Sequence, residues 1–130
     1  AGGLIAYLRQ EPGHERVQIR LDAAQQRQEV LWMHTVNLCE VYYDAYRGRG
    51  KSVADQLLRD VSRMPIRFVR TISRPLLQEV GRLKAEGRIS LADAFAVALA
   101  NFKGGQVITA DHHELDPVEA RGDGRFYWIR

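Results

Sequence analysis

The sequence predicts an α/β fold in which helices are layered on a mostly parallel sheet. Two observations carry that prediction. Short apolar runs of strand length alternate with longer segments of helical periodicity, so successive strands are joined by connections long enough for βαβ crossovers. Nearly every segment also stops at a Gly, Pro or Ser, where the backbone has a physical reason to turn. The 130 residues, 45% hydrophobic and 27% charged, suffice for one buried core. No repeat, low-complexity stretch or linker divides residues 1–130, which read as a single domain.

The elements follow in order. Leu4 to Leu8 predicts a short helix halted by Glu11-Pro12-Gly13, and His14 to Arg27 an amphipathic helix with Val17, Leu21 and Ala24 on one stripe. Val30 to Met33 is an unbroken apolar run, which suits a buried parallel strand. Thr35 caps a helix carrying Val36, Leu38, Val41, Tyr42 and Tyr43 that ends at Gly48 and Gly50. Ser52 with Asp55 three residues on has capping-box spacing for the next helix, through Leu57, Leu58 and Val61. Ile66 to Val69 is the second strand, and Arg74 to Glu86 is helical until Gly87. Ser90 opens a helix whose small residues, Ala92 through Ala100, suit close packing on a sheet before Gly104-Gly105 ends it. Val107-Ile108 and Phe126 to Ile129 complete four strands.

Composition excludes several classes. A single cysteine, Cys39, leaves no disulfide framework and no cysteine zinc site. The opening lacks a signal-peptide pattern and no apolar run reaches the ~18 residues of a membrane span, so the expectation is a soluble cytoplasmic protein. Of 19 basic residues, 16 are Arg. Guanidinium forks grip phosphate in bidentate fashion, which points to a polyanionic partner, although a GC-rich genome gives the same bias without function.

Two motifs are decoys. Gly48-Arg49-Gly50-Lys51-Ser52 resembles the end of a phosphate-binding loop, but Ala45 stands where the pattern needs Gly and the preceding segment is helical. Adjacent His112 and His113 point in different directions and lack a spaced third ligand. Cys39, within an apolar helix, has nothing to mark it as a thiolate nucleophile.

Three carboxylates remain. In parallel α/β folds ligands sit beyond the carboxyl ends of the strands. Asp111 follows the Val107-Ile108 strand, Glu40 lies in the second turn of the helix after the Val30 to Met33 strand, and Asp93 sits among Leu91, Ala92, Ala94 and Phe95. Each has a structural reading too: Ser90-x-x-Asp93 is a capping spacing, Asp111 could cap a short turn leading to Leu115, and Glu40 could be the polar face of its helix. Together they form an anionic cluster, whose usual remedy is a hard divalent cation, Mg²⁺ or Mn²⁺.

At these residues the sequence resembles the PIN-domain ribonucleases, most closely the VapC-type toxins of bacterial toxin–antitoxin pairs. The matching stretches are Leu4-Ile5-Ala6-Tyr7-Leu8 with Glu11-Pro12-Gly13, Val36-Asn37-Leu38-Cys39-Glu40-Val41, Ser90-Leu91-Ala92-Asp93-Ala94, and Ile108-Thr109-Ala110-Asp111. The resemblance implies a three-layer α/β/α fold and a metal-dependent endoribonuclease. Glu40, Asp93 and Asp111 match family acidic positions and so the Mg²⁺ or Mn²⁺ ligands, and Thr109 matches the hydroxyl residue beside the last acid. It further implies an RNA substrate, a homodimer and a small antitoxin partner, with Arg47, Arg49, Arg70 and Arg74 as candidate RNA contacts.

The family's first acid, an Asp ending the first strand, falls just before Ala1 in this register. The expectation is that the natural product extends upstream through an apolar segment ending in Asp that fills the sheet. A catalytically silent module binding nucleic acid or protein is the alternative. A receiver-like phospho-acceptor domain is disfavoured, since no paired acids follow an early strand and no Lys follows a late one.

Overall fold

The computed structural model describes residues 2–130. The chain runs α1 (Gly2–Leu8), α2 (His14–Gln25), β1 (Leu31–His34), α3 (Thr35–Arg49), α4 (Lys51–Ser62), β2 (Ile66–Val69), α5 (Arg74–Glu86), α6 (Leu91–Lys103), β3 (Val107–Thr109), α7 (His112–Ala120) and β4 (Phe126–Trp128). The strands pair in parallel as two separate ladders, β1 with β2 and β3 with β4, in registers that begin Leu31 opposite Ile66 and Val107 opposite Phe126.

Alternation along the strands assigns the layers. Leu31, Ile66, Ile108 and Tyr127 pack on Ala6, Val17 and Leu21 of α1 and α2. Met33 and Phe68 join Leu4, Val41 and Val61 where α1, α3 and α4 meet. The opposite face carries Val107, Phe126 and Trp128 against Leu83, Ala94, Val97, Ala98, Leu115 and Val118 of α5, α6 and α7. This is the three-layer α/β/α arrangement. Small side chains let the layers close: a Cβ on Gly3 would lie 2.6 Å from the Ile108 carbonyl oxygen, so α1 sits flush on β3 only with glycine there. Gly13 has both reasons at once, a φ of 95° and a would-be Cβ 2.3 Å from the Ile129 carbonyl oxygen.

Three local expectations are corrected. Thr35 is not the cap of α3; His34 is, its Nδ1 accepting from the Val36 N–H at 3.1 Å. Ser52 and Asp55 form no capping box, because α4 already begins at Lys51 after Gly50, and Asp55 turns instead to Lys51 and Tyr42. The first strand is shifted by one residue, to Leu31–His34, and is not wholly buried: Val30 and Trp32 are 47% and 37% exposed. The cause is an open cavity beside β1, on the side away from β2. Among the described residues no helix is long and apolar enough to cross a membrane.

Candidate metal centre

The site is assembled by the amino ends of two helices. Ser90 caps α6, its hydroxyl accepting from the Asp93 N–H at 3.1 Å, which sets Asp93 in the first turn. Asp111 caps α7 by accepting from the Glu114 N–H at 3.1 Å, and Glu114 then lies in that helix's first turn. The Glu114 carboxylate reaches across to accept from the Ser90 N–H, joining the two helix starts. One oxygen from each of Asp93, Asp111 and Glu114 lies within 4.8 Å of the others. Helix N-termini favour anions, which is why this end of the fold tolerates three.

The tolerance is incomplete. Burial, then the neighbouring Glu114 charge, push the Asp93 carboxyl up to about 7, and Glu40 adds a smaller push in the same direction. A carboxylate that holds its proton near neutrality has too few positive partners for its charge. Oxygen-only donors, closely spaced and short of compensating charge, fit a hard divalent cation.

Of the residues picked out in the sequence, Asp93 and Asp111 are brought together. Glu40, half-buried on α3, acts on Asp93 through its charge but lies outside the closely spaced set. Thr109 is buried, its hydroxyl accepting from the Asp111 N–H at 3.1 Å, so it fixes the backbone that carries Asp111. Glu114 was missed, although Asp111-x-x-Glu114 has the same spacing as Ser90-x-x-Asp93. Two buried polar residues were also missed. Asn37 donates to the Ala92 carbonyl at 2.8 Å and ties α3 to the start of α6. With His34 Nδ1 accepting from Val36, its Nε2–H donates to the Thr71 carbonyl at 2.9 Å, holding the chain beyond β2 against the start of α3. His112 and His113 are exposed, and His112 stacks on Trp128 at 3.9 Å rather than joining the acids. Cys39 is exposed.

The family model of the PIN domain matches residues 2–118. The chain belongs to the PIN-domain family. This PIN domain also resembles a solved toxin–antitoxin complex from Klebsiella pneumoniae, at 18% identity and a TM-score of 0.50, covering 63% of each chain. At that identity the likeness is one of fold, and the PIN domain here spans less than two thirds of that neighbour's length. No curated protein matches it.

Proposed function

We propose that this PIN domain is a divalent-metal-dependent endoribonuclease, the VapC-type toxin of a toxin–antitoxin pair. The observation that carries the reading is the convergence of Asp93, Asp111 and Glu114 at two helix starts, where burial and the Glu114 charge push the Asp93 carboxyl upward. PIN domains are generally nucleases, which agrees with it.

A bound Mg²⁺ or Mn²⁺ would supply an acidified water and positive charge at the scissile phosphate. The protein's own groups do the rest. Asp93, Asp111 and Glu114 would hold the ion, and the Asp93 carboxyl would have to give up its proton to serve as a ligand. Thr109 and Asn37 keep the supporting backbones still, and Glu40 deepens the negative potential at Asp93. Cleavage by water leaves a 5′-phosphate and a 3′-hydroxyl. Arg70 and Arg74 are exposed just beyond β2, and among the described residues neither they nor Arg47 or Arg49 is in an ion pair. They are free to meet RNA phosphates, and single-stranded loops offer the most accessible ones.

The antitoxin would place a basic side chain among the same carboxylates and compete with the metal; that the structural neighbour is a toxin–antitoxin complex supports such a partner. A second copy of the chain is the expected homodimer partner, and the cytoplasm the expected compartment. The test is cleavage of end-labelled single-stranded RNA with Mn²⁺, with excess chelator, and with Asp111→Asn. Metal-dependent products bearing 5′-phosphates, absent in the other two arms, support the reading. Equal cleavage in all three, or none in a folded protein carrying metal, overturns it.

A further inference from the structure

Helix α3 leads away from the acidic centre. Its first turn is tied to the start of α6 by Asn37, which donates to the Ala92 carbonyl at 2.8 Å, and one turn on, Glu40 is near enough to push the Asp93 carboxyl upward. An α-helix turns about 100° and rises about 1.5 Å per residue. Tyr43 and Arg47 therefore share the Glu40 face to within about 60°, and they lie roughly 4.5 Å and 10.5 Å farther along the axis. A helical side chain leans toward the amino end of its helix, here the end that adjoins the acids.

A second observation marks this face. Tyr43 is 46% exposed, and the Arg47 guanidinium lies over its ring, 5.1 Å from the centroid. Tyr7 and Tyr42, by contrast, are half-buried and spend their hydroxyls on Gln18 and Asp55. The positive charge beside Tyr43 is unspent as well. Asp44 pairs with Arg9 at 3.0 Å and Asp55 with Lys51 at 2.7 Å, which leaves Arg47 and Arg49 outside every ion pair among the described residues. An exposed cation on an exposed ring returns little stability, but aromatic faces beside unpaired guanidinium groups are what single-stranded nucleic acid binds.

We propose that Tyr43 and Arg47 form a subsite for single-stranded RNA beside the scissile phosphate: an unpaired base stacks on the Tyr43 ring, and the Arg47 guanidinium moves off the ring to the adjoining phosphate. The proposal rests on the nuclease reading, which supplies the phosphate at Asp93, Asp111 and Glu114, and adds that the neighbouring base must be free. Paired bases are stacked on one another and offer the ring no face. Every unpaired base has a π-face, so the stack selects an open strand and tolerates its sequence. At ~3.4 Å per stacked nucleotide, the roughly 10.5 Å from Glu40 to Arg47 spans about three nucleotides, so this recognition reaches only a short way from the cut.

The experiment compares two fluorescein-labelled RNA nonamers, CACACACAC and the same backbone with every base removed, by anisotropy in Ca²⁺. The unsubstituted protein should bind the base-bearing strand at least ~10-fold more tightly than the abasic one. Tyr43→Ala and Tyr43→Leu should erase that preference, because leucine keeps apolar bulk without a π-face, whereas Tyr43→Phe should retain it. Arg47→Ala should weaken both strands and flatten the salt dependence by about 0.7 in log–log slope. Tyr46→Ala is the control: Tyr46 is 49% exposed on the same helix but about 120° round from Glu40, and its loss should leave the preference intact. No preference in the unsubstituted protein, a preference that survives Tyr43→Ala, or an equal loss in Tyr46→Ala overturns the proposal. A Tyr43→Ala protein that keeps the preference but sediments as a smaller species gives this face to a second copy and overturns it too. The two readings fail separately: a Tyr43-dependent preference in a protein that cuts nothing with Mn²⁺ supports the subsite and overturns the nuclease, and cutting without the preference does the reverse.

Discussion

Asp55 and Asp93 are both first-turn or second-turn carboxylates of a helix, and their surroundings push them in opposite directions. Asp55 lies at the α3–α4 junction, where the Lys51 ammonium at 2.7 Å and the Tyr42 hydroxyl at 2.8 Å hold its carboxyl below the ordinary value. Asp93 lies at the α6–α7 junction, where burial and Glu114 push its carboxyl up to about 7. One acid is supplied with donors by its own fold; the other is set among acids. A junction of the first kind explains itself as structure, whereas one of the second kind costs stability unless a proton or a bound cation offsets its charge.

The contrast can be broken most severely through activity. Asp93→Asn and Asp111→Asn should each lower metal-dependent RNA cleavage by at least ~100-fold, and Glu114→Gln by a comparable factor, because each removes a charge from the metal's oxygen shell. Asp55→Asn should leave the rate within about two-fold, since it lies outside that shell. Glu40→Gln should fall between, with a loss of about 10-fold, as expected of a residue that acts on the site from its border. A Glu40 variant as dead as Asp93→Asn would move Glu40 into the shell itself.

Stability against pH sharpens the same comparison. The folded protein holds the Asp93 proton to about pH 7, whereas the unfolded chain releases it near ~3.9. Between those values the folded state binds more protons, so this contribution to stability is full below about pH 4 and is lost as the pH rises through about 7. Metal-free protein should therefore melt lower at pH 8 than at pH 5, and Asp93→Asn should shrink that difference and raise the pH 8 midpoint. For Asp55 the sign reverses: its contribution is present above the ordinary carboxylate range and lost on acidification. Its solvent exposure keeps the effect small, so Asp55→Asn should hardly move the midpoint at either pH. The smallest effect belongs to the arginines. Arg70→Ala and Arg74→Ala should each flatten the salt dependence of RNA binding by about 0.7 in log–log slope and leave the cleavage position unchanged.

Much of the fold was legible because its signals are local. The four strands, the Ser90 cap and the small-residue face of α6 each announce themselves within a few residues. Where reading failed, the cause lay elsewhere in space. His34 displaces Thr35 as a cap because its ring also has Thr71 to bond, 37 residues away. Trp32 is exposed because β1 pairs only with β2 and Trp32 faces an open cavity. Glu114 went unseen because Asp111 reads only as the cap of a short turn leading to Leu115, whereas the segment is a helix to Ala120 in which His112 bonds Asp116 at 2.8 Å. Asp93 and Asp111 were visible as acids at element ends; that Glu114 would join them depends on its carboxylate meeting the Ser90 N–H, 24 residues away in sequence.

The central claim is that Asp93, Asp111 and Glu114 form one divalent-cation site, and calorimetric titration of Mn²⁺ into the metal-free protein tests it without reference to RNA. The account predicts saturable binding whose proton release from Asp93 is larger at pH 6 than at pH 8, weakened at least 10-fold in Asp111→Asn and unchanged in Asp55→Asn. Binding of equal strength in Asp111→Asn, or no saturable binding by the folded protein, would contradict it.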